Sequence, residues 1–164
     1  MNKIFHFSVI ISYLIFSSLA IAGQPVANIC EQQLKVQNLL LQAFSYITMH
    51  GKIEALKTFN DPKGHFYHPQ EGLYVFAMKI SGKDKGVLLT HPQNPGLIGK
   101  NRYNMKDYDN KYHVRDIVHA ARQGGDWITY SWHNPKHDNA IETKWTFVLP
   151  VDKEWAIGTG FYTK

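Results

Sequence analysis

The sequence has a single cysteine, Cys30, among its 164 residues. One cysteine cannot form a disulfide within the chain, which excludes a disulfide-stapled fold. Lipoprotein attachment requires a small residue directly before the cysteine, and Ile29 stands there, so lipidation is excluded as well. We expect Cys30 to be a partly buried thiol near the start of a helix. An intermolecular disulfide is the alternative in an oxidising compartment.

Long hydrophobic runs are also scarce. An apolar stretch over 4–19 follows a positively charged start and precedes Ala20-Ile21-Ala22, which has small residues where a signal peptidase acts. This pattern predicts a secretory signal peptide over 1–22, cleaved after Ala22, and one domain over 23–164. A retained membrane anchor is the alternative, although the stretch is shorter than the ~20 residues of a spanning helix. We therefore expect a periplasmic or secreted protein with no membrane span after signal removal.

Clusters of basic residues are missing too. The formal charge is +5, and it falls to +4 when the signal region with its one lysine is removed. A nucleic-acid-binding face needs clustered Lys and Arg, so nucleic acid is not an expected partner. Gly-x-Ser-x-Gly is absent, and no nucleophile–base arrangement is evident, which predicts a protein that is not an enzyme. A hydrolase whose residues meet only in the folded chain is the alternative.

The nine histidines raise a metal-binding alternative. The local clusters are His65-x-x-His68 and His133-x-x-x-His137-Asp138. The second spacing suits a metal on a helix, but Pro135 interrupts it. The sequence has neither a cysteine pair nor a His-Glu-x-x-His motif, so we expect no metal and no cofactor.

Apolar periodicity predicts the helices. A long amphipathic helix is expected over 27–49, Gly51 should interrupt it, and a shorter helix should follow over 53–59. A further helix is expected over 114–121. The predicted apolar stripes comprise Ile29, Gln33, Val36, Leu40, Phe44 and Ile47 in the long helix and Val114, Ile117, Val118 and Ala121 in the last.

Strand patterns occupy much of the remaining chain. They are predicted over 73–78, 87–90, 127–132, 142–149 and 155–162. Short connections favour antiparallel neighbours. The expected fold is therefore α+β, a five-stranded antiparallel sheet with helices packed on it. Residues 91–111 carry no periodic pattern, and an irregular stretch of this length inside a domain is often functional.

Several segments, in this order, are similar to a known family. They are Phe59-Asn60-Asp61-Pro62-Lys63-Gly64-His65-Phe66, Leu73-Tyr74-Val75-Phe76, Thr90-His91-Pro92-Gln93-Asn94-Pro95, Leu97-Ile98-Gly99-Lys100-Asn101, Asp109-Asn110-Lys111-Tyr112, Trp127-Ile128-Thr129-Tyr130-Ser131-Trp132-His133-Asn134-Pro135, Lys144 and Gly158-Thr159-Gly160-Phe161-Tyr162. Across 30–163 the chain resembles the single Cache domain family, in its free-standing exported form. Related domains form the ligand-binding segments of bacterial chemoreceptors and sensor kinases.

The resemblance implies a PAS-like fold with a long N-terminal helix packed on the five-stranded antiparallel sheet. A ligand pocket is then expected on the far side of the sheet, roofed by the middle loop and helix. It also implies a non-enzymatic sensor for a small organic acid of the acetate, propionate, pyruvate or lactate class. Receptor members carry transmembrane helices and a signalling module that this sequence lacks. We therefore carry over ligand binding alone, with any signal passing through an unidentified partner protein.

Tyr130, Trp132 and Lys144 are the leading ligand-binding candidates. Alternation places Tyr130 and Trp132 on one strand face, with Lys144 on the strand expected to pair with it. Lys supplies a charge for a carboxylate, Tyr a hydroxyl donor and Trp an apolar wall. The resemblance supports this set, because the family has Tyr-x-Trp and a downstream Lys at these positions. The alternative is that both aromatics are core residues and that Lys144 extends to an edge.

His91 and Tyr74 complete the candidate set. His91 opens the irregular stretch and is either a donor at the pocket rim that titrates near neutral pH or a loop histidine satisfied by backbone. Tyr74 either lines the pocket or packs in the core, as does Phe76, and Arg115 is expected to face solvent. A rival function also stays open. It is an interaction module with no ligand, forming a homodimer through the N-terminal helix.

Overall fold

The computed structural model describes residues 24–163, with side chains from residue 28 onward except that of Pro135. The predicted signal peptide and its cleavage site after Ala22 lie outside the described residues. Within 24–163, no helix is both long enough and apolar enough to cross a membrane.

Residues 24–163 form two α-helices and seven β-strands. They are α1 Gln24–Phe59, β1 Tyr67–His68, β2 Leu73–Tyr74, β3 Phe76–Lys79, β4 Leu88–Thr90, α2 His113–Arg122, β5 Asp126–Asn134, β6 Ala140–Pro150 and β7 Trp155–Thr163. Short 3₁₀ turns occur at Pro95–Leu97 and Pro135–His137. The stretch from β4 to α2 is otherwise irregular, as predicted.

Helix α1 is kinked at Gly51, whose φ of 76° and ψ of 167° lie outside helical values. A residue with a β carbon rarely adopts this φ, so glycine defines the break between the two predicted helical segments. The buried face differs in part from the predicted stripe, because Ala43 is fully buried while Phe44 is 36% exposed. The prediction that Cys30 is partly buried is wrong, since its side chain is exposed. It lies in the first turns of α1.

The main sheet has five strands in the order β4-β3-β7-β6-β5, and every neighbouring pair is antiparallel. The predicted fold class is therefore confirmed. The predicted strand over 73–78 is divided, however. Leu73–Tyr74 pairs with Tyr67–His68 in a small separate ribbon, while Phe76–Lys79 enters the main sheet.

The two faces of the sheet support different layers. On one face, α1 packs through Val36 and Leu40 against Trp155 and Ile157 of β7. On the other, α2 packs through Val114 and Ile117, and this second layer includes Phe76, Met78, Val148 and Ala156. The long N-terminal helix and the cavity described below thus lie on opposite faces of the same strands.

Neighbouring atoms occupy the sheet face that Gly158 and Gly160 of β7 share. A β carbon built on Gly158 would lie 2.4 Å from Cζ of Phe76, its cross-strand partner. Glycine is required there because the aromatic ring occupies the space of a side chain.

Candidate functional site

A cavity lies between the sheet, α2 and the irregular stretch that follows β4. It offers about 40 Å³ to the centre of a water-sized sphere. One water needs about 10–15 Å³ by this measure, so the cavity has room for a molecule of a few non-hydrogen atoms. Its lining comprises Tyr74, Phe76, Met78, Leu88, His91, Leu97, Arg102, Met105, His113, Val114, Ile117, Tyr130, Trp132 and Lys144.

All five candidate residues from the sequence line this one cavity. Tyr130 lies directly across from Lys144 in the β5–β6 register, and Lys144 lies across from Tyr162 of β7. Strand alternation places Trp132 on the same face as Tyr130. Tyr74 comes from β2 of the small ribbon. Their shared location is thus established, while their role in ligand binding stays a prediction.

Lys144 is the most unusual residue of the lining, since only 2% of its surface is exposed. Its Nζ donates a hydrogen bond to Oη of Tyr74 at 2.8 Å and lies 4.5 Å from that ring's centroid and 5.3 Å from that of Tyr162. Within 24–163 it takes part in no salt bridge. Burial lowers the pKa of Lys144 to about 7, because desolvation disfavours the ammonium form. The alternative that this side chain extends to a solvent-exposed edge is wrong.

His91 is held by backbone and side chain together. Its N–H donates to Oδ1 of Asn60 at 3.1 Å, and its Nδ1 accepts from the backbone N–H of Asn94 at 3.0 Å. Nε2 lies 3.4 Å from Oη of Tyr74. Burial, and then the charge of Lys144, lower the pKa of His91 to about 3, so it stays neutral. The prediction that it titrates near neutral pH is wrong. The two alternatives for its surroundings both hold, because His91 lines the cavity and is also held by hydrogen bonds that involve the backbone.

The hydroxyls of Tyr74 and Tyr130 can each donate a hydrogen bond to a molecule in the cavity. Since Nδ1 of the neutral His91 accepts, we assign its proton to Nε2, which donates to Tyr74. Oη of Tyr74 therefore accepts twice, from His91 and Lys144, and Oη of Tyr130 accepts from Oγ1 of Thr146 at 3.2 Å. Burial raises the pKa of Tyr130 to about 12 and raises that of Tyr74 as well. Both phenols stay protonated at neutral pH.

His113 belongs to the cavity, although the sequence analysis did not single it out. It opens α2, its ring stacks on Tyr130 with centroids 4.8 Å apart, and it lies 5.2 Å from the ring of Trp132. Its Nδ1 is buried without a hydrogen-bond partner among the described residues. Burial lowers the pKa of His113 to about 4, against the opposing charge of Asp107. The sequence contained a signal for its burial, because His113 lies four residues before Ile117 and so extends the apolar stripe of the helix.

Asp107 connects the irregular stretch between β4 and α2, which forms the roof of the cavity, to the edge strand β5 through hydrogen bonds. Its Oδ1 accepts backbone N–H groups of Lys111 and Asp109 at 2.8 and 2.9 Å, and its Oδ2 accepts that of Ser131 at 3.1 Å. Tyr108 also hydrogen-bonds to His133. Burial, which raises the pKa of Asp107, is outweighed by these donors, and the net shift is downward. Sequence reasoning had no signal for this connection, which spans 24 positions.

The mouth of the cavity is formed by half-buried residues of the roof, Leu97, Arg102 and Met105, together with Trp132. Arg102 brings a second positive charge to the site, and no aspartate or glutamate is among the lining residues. Arg115, predicted to face solvent, is exposed and stacks on Tyr112 at 3.8 Å. The cavity is therefore cationic, with phenol donors and apolar walls.

The histidine clusters considered for metal binding lie elsewhere. His137 Nδ1 pairs with Oε1 of Glu142 at 2.6 Å, and Asn134 donates to Oε2 of the same carboxylate at 2.6 Å. His133 instead contacts the backbone oxygen of Asn139. In the part of the chain that the structure describes, no three His, Cys, Asp or Glu side chains are grouped as metal ligands would be.

Comparison with solved structures finds the same fold in sensory domains. A methyl-accepting chemotaxis protein from Vibrio parahaemolyticus RIMD 2210633 is 21% identical with a TM-score of 0.69, covering 85% of this chain and 93% of that chain. A Cache chemosensory domain, whose structure gives the basis for its carboxylic acid recognition, is 20% identical with a TM-score of 0.62, covering 88% of this chain and 99% of that chain. A periplasmic sensor domain of a chemotaxis protein is 17% identical with a TM-score of 0.59, over 87% and 97%.

No curated protein sequence matches the chain. The family model described as "Single Cache domain 2" matches residues 33–164, nearly all of the sequence after the predicted signal peptide. Cache domains are sensory ligand-binding modules. The resemblance noted from the sequence is thereby confirmed, and the chain belongs to the single Cache domain 2 family.

Proposed function

We propose that this protein is an exported sensor domain that binds a small organic acid in the cavity beneath α2. Lys144 would pair with the carboxylate, and the hydroxyls of Tyr74 and Tyr130 would donate hydrogen bonds to it. Trp132 and His113 would form the walls around its carbon chain. The binding involves no covalent chemistry.

The observation that carries this proposal is the buried amine of Lys144. A charged group inside a protein is costly unless an opposite charge lies beside it. Lys144 has no carboxylate partner within 24–163, and the cavity lining contributes no acidic side chain. An anionic ligand would supply the missing partner, as carboxylates do for lysines elsewhere.

Cavity size restricts the acid. A space of about 40 Å³ for water-sized spheres accommodates acids with two to four carbons, such as acetate, propionate, pyruvate and lactate. Oη of Tyr74 lies 2.8 Å from Nζ of Lys144, and Tyr130 lies opposite Lys144 on the neighbouring strand, which favours a single carboxylate group. The carboxylic acid recognition named for one Cache neighbour agrees with this class.

Thermal denaturation tests the proposal directly. The four acids, together with amino acids and purines as unrelated compounds, are added to the purified protein at pH 6. A ligand that binds only the folded state raises the melting temperature, and ~100-fold saturation adds ~2.7 kcal/mol of stability. We expect a shift with at least one of the four acids and none with the purines.

Two lysine variants make the test specific. In Lys144→Met the shift should be lost, because the carboxylate loses its charge partner. In Lys153→Met it should persist, because Lys153 is exposed and lies outside the lining. A folded wild-type protein that shifts with none of the four acids would reject this ligand class.

We propose that residues 1–22 are a signal peptide and that the mature protein, a single Cache domain over 23–164, is periplasmic or secreted. Similarity to a periplasmic sensor domain supports this placement. Occupancy would be reported to an unidentified signalling partner. Mass spectrometry of the exported protein tests cleavage, with a mature chain beginning at Gly23 as the expected result and retention of residues 1–22 as the contrary one.

Self-association through α1 is a second candidate function. Leu34 and Leu41 are 60% and 61% exposed, and they lie seven residues apart on the helix. Such positions recur on one face and pair with a second helix in dimers. Light scattering should give a dimer for the wild type and a monomer for Leu34→Glu/Leu41→Glu. A wild-type monomer at high concentration would remove this candidate.

A further inference from the structure

The amine of Lys144 is surrounded by groups that carry no negative charge at neutral pH. Tyr74, Tyr130 and Tyr162 face it from β2, β5 and β7. His91 of the roof and His113 of α2 complete the surroundings, together with the cation Arg102 at the mouth. A carboxylate on the same strand, Glu142, is engaged by His137 and Asn134.

Hydrogen bonding around the amine is incomplete for an ammonium group. An ammonium has three N–H donors, and within the described residues one acceptor, Oη of Tyr74, is in place. A neutral amine needs fewer acceptors and no counter-charge. The empty cavity therefore suits the neutral amine, whereas a cavity that holds a carboxylate suits the ammonium, because opposite charges at contact distance attract strongly where water is excluded.

We propose that the cavity takes up one proton at Lys144 with each monocarboxylate that it binds, so that occupancy reports acidity as well as ligand concentration. The inference rests on the proposed function of the same site. The ligand is then, in net terms, the anion together with a proton. Binding is tight in acidic surroundings and weak in alkaline ones.

The other groups of the site do not change charge in the relevant range. Burial keeps His91 and His113 neutral, with pKa values of about 3 and about 4, and it raises the pKa values of Tyr74 and Tyr130. Burial raises the pKa of Tyr162 as well, so it stays protonated. Carboxylic acids of this class are fully ionised above pH 6. Between pH 6 and 9, the amine is therefore the titrating group of the lining.

Calorimetric titration of propionate, acetate, pyruvate and lactate into the full exported protein at pH 6, 7, 8 and 9 tests the inference. The pKa of Lys144 without ligand is about 7, so the Kd of a binding acid should rise roughly tenfold per pH unit above it. From pH 6 to 9 the expected rise is on the order of 100-fold. Titrations at pH 8.5 in two buffers of different ionisation enthalpy should show nearly one proton taken up per ligand.

Lys144→Arg is the diagnostic variant, because a guanidinium stays charged throughout this range. If it binds the acid, its Kd should be the same at pH 6 and 9 and its proton uptake near zero. Should the larger side chain prevent folding, proton uptake by the wild type decides alone. A wild-type Kd that is constant from pH 6 to 9, with no proton uptake, overturns the inference and leaves the proposed function standing. Absence of binding by all four acids at pH 6 overturns both.

Discussion

Replacing Lys144 by Met should stabilise the ligand-free protein at neutral pH. Folding transfers the amine from water, where its pKa is 10.5, to a site where burial lowers the pKa to about 7. Between these two pH values the unfolded chain binds more protons than the folded protein does. The free energy of unfolding of the wild type therefore increases as the pH rises from 7 to 10.5.

The magnitude follows from the same two pKa values. Each pH unit between them contributes ~1.4 kcal/mol, so the destabilisation by Lys144 at pH 7, compared with pH 10.5, is on the order of 4 kcal/mol. Methionine keeps a long unbranched chain in the space of the lysine stem and carries no charge. The free energy of unfolding of Lys144→Met, minus that of the wild type, should therefore be larger at pH 7 than at pH 10.5 by that amount.

Urea unfolding followed by tryptophan fluorescence measures this difference at pH 6, 7, 8, 9 and 10. Other titrating groups are common to both proteins and cancel in the subtraction. Lys153→Met, which removes an exposed lysine, should show no such pH dependence. If the difference between Lys144→Met and the wild type stays constant within ~1 kcal/mol across the series, burial does not destabilise the ammonium and the reasoning fails.

Three further predictions concern stability. Burial lowers the pKa of His91 to about 3 and that of His113 to about 4. The stability that these neutral imidazoles contribute is therefore fully present above pH 6.5, and the free energy of unfolding falls by ~5 kcal/mol at pH 4.5. A melting temperature unchanged from pH 7 to 4.5 would contradict this. Asp107→Ala leaves three backbone N–H donors without their acceptor, those of Asp109 and Lys111 in the roof and that of Ser131 in β5. It should lower the free energy of unfolding by ~2–4 kcal/mol in urea titrations, whereas a loss under ~1 kcal/mol would argue against the connection. Gly158→Ala places a β carbon 2.4 Å from a ring atom and should destabilise by ~1–3 kcal/mol in the same assay, with wild-type stability as the contrary result.

The predictable part of the site comes from strand alternation. The patterns over 127–132 and 142–149 place Tyr130 and Lys144 on adjacent strands, and the structure adds that the two residues lie directly opposite each other. Two long strands with a short connection leave few alternative pairings, so local pattern determined this wall of the cavity. The order of helices and strands was accessible for the same reason.

Long-range contacts decide what the sequence left open at Tyr74 and His91. Tyr74 entered the cavity lining through a ribbon of two-residue strands, which are too short to produce an alternating pattern. His91 depends on Asn60, 31 positions earlier, for its orientation and on burial for its neutral state. Residues next to His91 in the sequence indicate neither its contact with Asn60 nor its burial.

The errors on α1 have a geometrical origin. The buried face passes from Leu40 to Ala43 and then to Ile47, whereas the predicted stripe took a four-residue step from Leu40 to Phe44. Steps of three and of four both occur on one helix face, so the spacing alone did not choose between Ala43 and Phe44. Cys30 lies beside Ile29, which packs against the core, but its own side chain is exposed, so a neighbouring apolar residue in sequence did not lead to burial.

A crystal structure of the protein grown with propionate at pH 6 tests the central claim most directly. The account predicts one propionate in the cavity beneath α2, with its carboxylate within hydrogen-bond distance of Nζ of Lys144 and of the hydroxyls of Tyr74 and Tyr130. Its ethyl group should contact Trp132 and His113. A cavity without propionate at a concentration that saturates the thermal shift, or propionate bound away from Lys144, would contradict the account.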